Sequence, residues 1–377
     1  MNEEIFSQQL AWAKNKGLFL NEKIERKKVN GVYGMFATGN IAKDEILVSY
    51  PVQSRIPQFS DVSYPVDTAN DVKNMHRAAV EYLKGKLSDY HGHFMQFESL
   101  DDFKSSSVYF LTEDELALIQ SMNRLLYKSV TKFNSAVKKH IDTLLHIDPA
   151  INTDVATLIV LNYCSRAWGD VGFLPVIDLF NHSEKLGNTK EVIDQKDILL
   201  AKVDYQAGDQ IWISYSVKDI YHHCIIFNYF DPNDTHYIHF GDRFTQTATS
   251  NFERQIAHHC LTKYNIASSE SDGALHYQIT DVDALFLEHA PSVKLVEYIK
   301  DNCFRFEEEF SAKNCSFQSF IIRMNEVLNI LIGFNNVDKI NLAELPDKLH
   351  RFFYMLQKEK QMLLKNLEWV SFLARSR

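Results

Sequence analysis

"LPVIDLFNHS" (residues 174–183) begins as an apolar run and ends by setting Asp178, Asn181 and His182 around a phenylalanine. From Leu174 to Ile177 the texture is that of a strand covered on both faces. The polar finish is that of a strand running out of a core into a site. What chemistry such a site performs is bounded first by the rest of the chain.

At 377 residues the chain exceeds one average domain, which predicts one large domain plus a second. A hydrophobic fraction of 45% with 12% aromatics supports a packed core, and a charged fraction of 24% is ordinary. The formal charge of −9 argues against sequence-independent affinity for nucleic acid or for an anionic membrane, leaving room for a local basic patch. The basic run "KIERKK" (23–28) reads as a solvated face beside a strand. Five widely spaced cysteines without a C-x-x-C pair point away from a disulfide framework and toward a reducing compartment. The acidic, amphipathic start is unlike a signal peptide, and no stretch reaches the roughly 18 apolar residues of a membrane span. The expectation is a soluble, cytoplasmic protein, with a nuclear or host-cell location as alternatives.

Residues 4–16 read as a short amphipathic helix. "VNGVYGMFATGNIAKDEILVSYP" (29–51) then has β-branched and aromatic runs broken by turn residues, the pattern of a hairpin. Helical periodicity takes over from about 67 to 165. "FLTEDELALIQSMNRLLY" is its clearest case, with Thr112 as N-cap and Glu115 closing a capping box. "DILLAKVDYQAGDQIWISYS" (197–216) reads as two strands joined through a turn at Ala207-Gly208-Asp209. After about residue 245, i, i+3/i+4 apolar spacing predicts helices to the end.

Several polar residues in these parts invite function, each beside a plainer reading. Gly31 and Gly34 flank Tyr33 and let a backbone approach a ligand, or simply make a turn. They lack the G-x-G-x-x-G spacing of a dinucleotide site. Arg166 in "NYCSRAW" can hold a carboxylate bidentately, or sit at a helix end because the dipole favours it. Tyr215 closes an apolar strand, where a buried phenol needs a partner. "YHHC" (221–224) and "AHHC" (257–260) suggest zinc, but adjacent histidines on a helix do not face one another, so no metal site is expected. Asp178, His182 and Ser183 do not follow a nucleophile-elbow pattern, which argues against a hydrolase.

In order and spacing, "VYGMFATGNIAKDEILVSYP", "SRAW", "PVIDLFNHS" and "GDQIWISYS" resemble the SET-domain methyltransferases. The resemblance is narrowest to the branch of the Rubisco large-subunit lysine methyltransferase, and it spans essentially the whole chain. It implies an α+β chain. Residues 1–245 would form a β-rich SET pseudoknot fold with a helical insertion at about 67–160, and 246–377 an all-helical C-terminal domain that binds substrate. It implies S-adenosylmethionine as cofactor, with S-adenosylhomocysteine as product.

By the same resemblance Asn181 and His182 bind the adenine end of the cofactor, and Arg166 binds its methionine carboxylate. The backbone at Tyr33 and Gly34 lies along it, and Tyr215 is the catalytic tyrosine. Ser165, Trp168, Asp178 and Tyr229 line the channel for the substrate side chain. Val32 stands where the family has its first glycine. The family's Tyr-Gly-Phe becomes "FNYFDP" (227–232), with Tyr229 or Asn228 at the tyrosine position. Ile177 and Trp168 occupy positions that favour lysine over a histidine-methylating relative. The contrary reading is an inactive SET scaffold that binds a partner. Net acidity predicts a protein substrate with a basic face, and the enzyme is expected to be a monomer.

Overall fold

The computed structural model describes residues 3–29, 32–55, 64, 68–95, 97–168, 171–183, 186–215, 219–234, 236, 238, 268–271, 274–277, 325 and 328–375. In chain order the elements begin with α1 (Glu3–Asn15), β1 (Phe19–Leu20), β2 (Ile24–Val29), β3 (Val32–Ala37) and β4 (Ile46–Pro51). Helices follow: α2 (Asn70–Leu83), α3 (His91–Phe94), α4 (Leu100–Ser106), α5 (Glu113–Met122), α6 (Arg124–Ile147) and α7 (Thr153–Arg166). Then come β5 (Lys190–Ile193), β6 (Lys196–Leu200), β7 (Gln210–Ile211), α8 (Ile220–Ile226), β8 (Ser268–Ser271), β9 (Ala274–Tyr277), α9 (328–334) and α10 (His350–Arg375). Two compact units result, one from Met1–Phe110 with Phe133–Ser216, the other from Leu111–Lys132 with Val217–Arg377. The division expected at 245/246 falls outside the described residues.

The first unit holds two antiparallel sheets, ordered β1-β4-β6-β5 and β2-β3-β7. β4 is the apolar centre of the larger one: Leu47, Val48 and Tyr50 are fully buried because the strand is covered on both faces. Beside it Asp197 of β6 is also fully buried. Burial pushes its carboxyl up, but Arg55 (2.7 and 2.8 Å) and Lys190 (2.7 Å) outweigh that and hold it below the usual range. β5 turns into β6 through Asp194 and Gln195, both at positive φ (49° and 60°), a two-residue turn whose twist matches the strands.

Three expectations are corrected. Leu174–Ile177 is not a strand: it forms a turn entering a 3-10 turn at Ile177–Leu179, with Val176 at φ 68°. Leu174, Val176 and Ile177 are fully buried, so the apolar run reports enclosure and not extension. Pro175 has no N–H for a ladder and was the contrary signal. The two strands of 197–216 do not pair: β6 joins the larger sheet and β7 the smaller, with Gly208 (φ 98°) in the connection. The tail is not wholly helical, because β8 and β9 form an antiparallel pair. They flank Asp272-Gly273, the dipeptide that most favours a two-residue hairpin. The hairpin read within 29–51 does not form between its own two strands: β3 pairs with β2, which ends where that stretch begins, and β4 lies in the other sheet; Gly31 lies outside the described residues.

The helices follow their local signals. Thr112 accepts from the Glu115 N–H and Glu115 returns the bond, the predicted capping box of α5. α7 starts at Asn152, whose side chain accepts from the Val155 N–H at 2.9 Å. Its residues 156–163 are all buried, packing with α2 in a second apolar core. In the second unit, α10 buries Glu359, whose Oε2 accepts from Asn335 (2.8 Å) and Asn123 (3.2 Å). No helix among the described residues is long and apolar enough to cross a membrane.

His93 is fully buried against the rings of Phe97 and Phe173, with centroids 5.4 and 5.2 Å away. Burial, helped by the charge of Arg166, pushes its pKa down to about 3. The folded pKa is below the unfolded one, so the stability it carries is present above about 6.5 and is lost as pH falls toward about 3. Urea melts between pH 6.5 and 5 should show a loss approaching about 1.4 kcal/mol per pH unit from this group. His93→Phe should flatten that slope, and an unchanged slope would exclude His93 as its source.

Candidate active site

Backbone bonds build the site before any side chain does. The segment after β7 runs between two stretches of the "FNHS" loop. Ile213 donates to Asn181 O (2.9 Å) and accepts from Ser183 N (3.1 Å). On the other side Asn188 donates to Trp212 O and Ser214 donates to Asn188 O, both at 2.9 Å. Gly187 lies on this crossing. A Cβ there would come within 2.2 Å of Ser183 O and 2.5 Å of Ser214 N, both backbone atoms. Only glycine fits.

The crossing delivers Tyr215 to His182. The Tyr215 N–H donates to His182 Nδ1 (3.1 Å), which leaves the ring proton of the neutral imidazole on Nε2. The two rings stack at 4.9 Å with an interplanar angle of 28°. The Tyr215 hydroxyl donates to Phe180 O at 3.0 Å. Burial pushes the phenol up to about 12; Arg166 opposes the shift, and Asp178 and Glu98 add to it. These three charges therefore all act on one hydroxyl.

A second tie reaches β3. Asn181 Nδ2 donates to Tyr33 O at 2.8 Å, across 148 positions of sequence. Gly34 beside it has no room for more: a Cβ would lie 2.5 Å from Gln210 Nε2 and 3.2 Å from Asn181 Nδ2. Arg166, the last residue of α7, approaches Glu98 at 3.7 Å, and its buried Nε has no hydrogen-bond partner among the described residues.

Tyr33, Gly34, Arg166, Asp178, Asn181, His182 and Tyr215 thus belong to one neighbourhood of the first unit. Ser165 is at the end of the same helix as Arg166, but its hydroxyl donates to Leu161 O (3.0 Å), so the side chain is committed to its own helix. Trp168 packs on the sheet core, with Lys190 Nζ 5.6 Å from its ring. Tyr229 belongs to the second unit, where its N–H donates to His223 O at 3.3 Å. Val32 pairs with Val29 at the end of the β2–β3 hairpin. Among the described residues no group of three or more His, Cys, Asp or Glu is placed to hold a metal ion. The trio at 257–260 lies outside them.

Sequence reasoning missed Arg26. "KIERKK" read as solvated, yet the Arg26 guanidinium stacks 4.3 Å from the Tyr33 ring centre and lies in the field of Arg166 and Asp178. The signal was available: β2 alternates, and the buried Ile24 sends Arg26 to the same face. The carbonyl of Phe180 and the amide of Gln210 were also missed, and no sequence pattern announces them.

The sequence matches no protein-family model and no curated protein. Solved structures do match. Rubisco LSMT bound to sinefungin and monomethyllysine aligns with a TM-score of 0.57 at 14% identity, over 98% of this chain and 92% of that one. The SET domain of LSMT bound to MeLysine and AdoHcy gives 0.59 at 15% identity, with the same coverage. Rubisco LSMT bound to AdoMet gives 0.58 at 14%. The chain therefore has the SET-domain fold of these structures.

Because the atoms around Gly187 are backbone, nothing flexible can yield. Gly187→Ala should destabilise the protein by about 3 kcal/mol, the upper end for overpacking. Urea denaturation measures this, and a cost under about 1 kcal/mol would show that the crossing is looser than described.

Proposed function

We propose that this protein transfers a methyl group from S-adenosylmethionine to a protein substrate, and that the acceptor is the ε-amine of a lysine. The bond from Asn181 Nδ2 to Tyr33 O carries the proposal, because it seats the Asn-His segment on the glycine strand. The residues fit the cofactor in two respects. Gly34 lacks a Cβ where one would press on Gln210 and Asn181, and Arg166 offers a buried donor without an acceptor among the described residues. Arg166 would hold the cofactor carboxylate, and Asn181 and His182 its adenine end. The backbone of Tyr33 and Gly34 would run beside it. When bound, the cofactor supplies a sulfonium-borne methyl group open to in-line attack.

Tyr215 keeps its proton in this scheme. With its pKa pushed up to about 12, the phenol is neutral at physiological pH and cannot be the base that deprotonates the amine. Its hydroxyl orients, through a lone pair left over from the bond to Phe180 O. The incoming amine, with an ordinary pKa of about 10.4, loses its proton more readily once it is removed from water. By the resemblance, Trp168 would supply an aromatic wall for the lysine stem, and Ser165 and Asp178 would line the same channel. The role of Tyr229 on the substrate side is proposed from the resemblance alone. Ile177 and Trp168 are the grounds for lysine over histidine. The second unit is proposed to select a protein with a basic face, since the chain carries −9.

Three measurements test this. Saturating S-adenosylmethionine should raise thermal stability, by about 2.7 kcal/mol at a hundred times its dissociation constant. No shift would favour an inactive scaffold. Tyr215→Phe should cut methyl transfer to a lysate substrate by about 100-fold or more, with cofactor affinity near wild type. The wild-type rate should rise from pH 7 to 9.5 without a falling limb from Tyr215, whose neutral form persists toward about 12.

A further inference from the structure

Arg26 has no role in the scheme above, yet it stands among the residues that do. The pleat of β2 puts Ile24, Arg26 and Lys28 on one face, and the register sets Arg26 opposite Met35 and Lys28 opposite Tyr33. The Arg26 guanidinium is 4.3 Å from the ring centre of Tyr33 and 5.4 Å from that of Phe6. Both rings lie within cation–π reach of the guanidinium, whose planar fork can also donate to an anion. The carbonyl of the same Tyr33 is the one Asn181 binds.

Two further charges act on Arg26: Arg166 repels it and Asp178 attracts it. Arg26 thus lies within the fields of both Arg166 and Asp178, and Asp178 is only 8% exposed. Partial burial works in the same direction as the repulsion, against the charged form of Arg26. A second anion between the two cations would relieve the repulsion and accept planar, charge-assisted hydrogen bonds from both.

We infer that Arg26, stacked on Tyr33, is a second guanidinium for the carboxylate of the cofactor's amino-acid end and acts together with Arg166. The inference rests on the proposed function and adds a positioning residue to its site. A single arginine fixes one edge of a carboxylate. Two fix its plane, and with it the direction of the sulfur at the other end of the same short chain.

The test compares two ligands by calorimetry on the full chain: S-adenosylhomocysteine, and decarboxylated S-adenosylmethionine, which lacks the carboxylate. Arg26→Gln should weaken S-adenosylhomocysteine by about 10- to 100-fold, the usual cost of a hydrogen bond to a charged group, and leave the decarboxylated ligand unchanged. Arg26→Lys keeps the charge and loses the fork, so it should fall between, and it serves if the glutamine variant does not fold. Equal loss for both ligands would make Arg26 structural and overturn the inference, as would no loss for either. Failure of the wild type to bind either ligand would sink the proposed function itself, a result distinct from both.

Discussion

The site depends on one crossing of backbone. Residues 212–214 are held on one side by Asn181 and Ser183 and on the other by Asn188. Four backbone hydrogen bonds are thereby made away from any regular ladder, as a buried backbone requires. Gly187 can lie against the crossing only because it has no side chain. Everything that follows is a consequence of where this crossing ends. It ends at Tyr215, whose own N–H fixes the tautomer of His182 and whose hydroxyl returns to Phe180 O. One short segment thus sets the positions of a phenol, an imidazole and an amide.

The charges around that segment are arranged with a consistent sense. Arg166, Asp178 and Glu98 all act on the Tyr215 hydroxyl, but burial dominates and keeps the phenol neutral. A neutral phenol suits a group that orients and does not abstract. The two arginines, by contrast, are cations that the surrounding carboxylates offset, and their planar forks suit an anion better than a water-filled space. Val176, a β-branched residue at φ 68°, sits just before Asp178 and is strained there, a cost that its fully buried side chain helps to hold.

Some of this was legible in residues alone. The capping box at Thr112 and Glu115 is local chemistry and formed as its spacing predicts. Strand texture was legible in 29–51, where β3 and β4 lie, but not which strands pair. The motif series "SRAW", "PVIDLFNHS" and "GDQIWISYS" pointed to a SET fold, and solved SET structures share it. Where reading failed, the reason was that an apolar run states burial without stating backbone. Leu174–Ile177 is enclosed on every side yet turns where extension was expected, and the strands around Gly208 part into different sheets.

The amino-acid sequence by itself determined the helices with their caps, the glycine positions and the identity of the polar residues, because these rest on neighbours a few positions apart. Only the tertiary structure decided that Asn181 meets Tyr33, that Tyr215 stacks on His182, and that Arg26 lies over the Tyr33 ring. Those contacts join positions up to 148 apart, where no periodicity carries information and where packing alone chooses which surfaces meet.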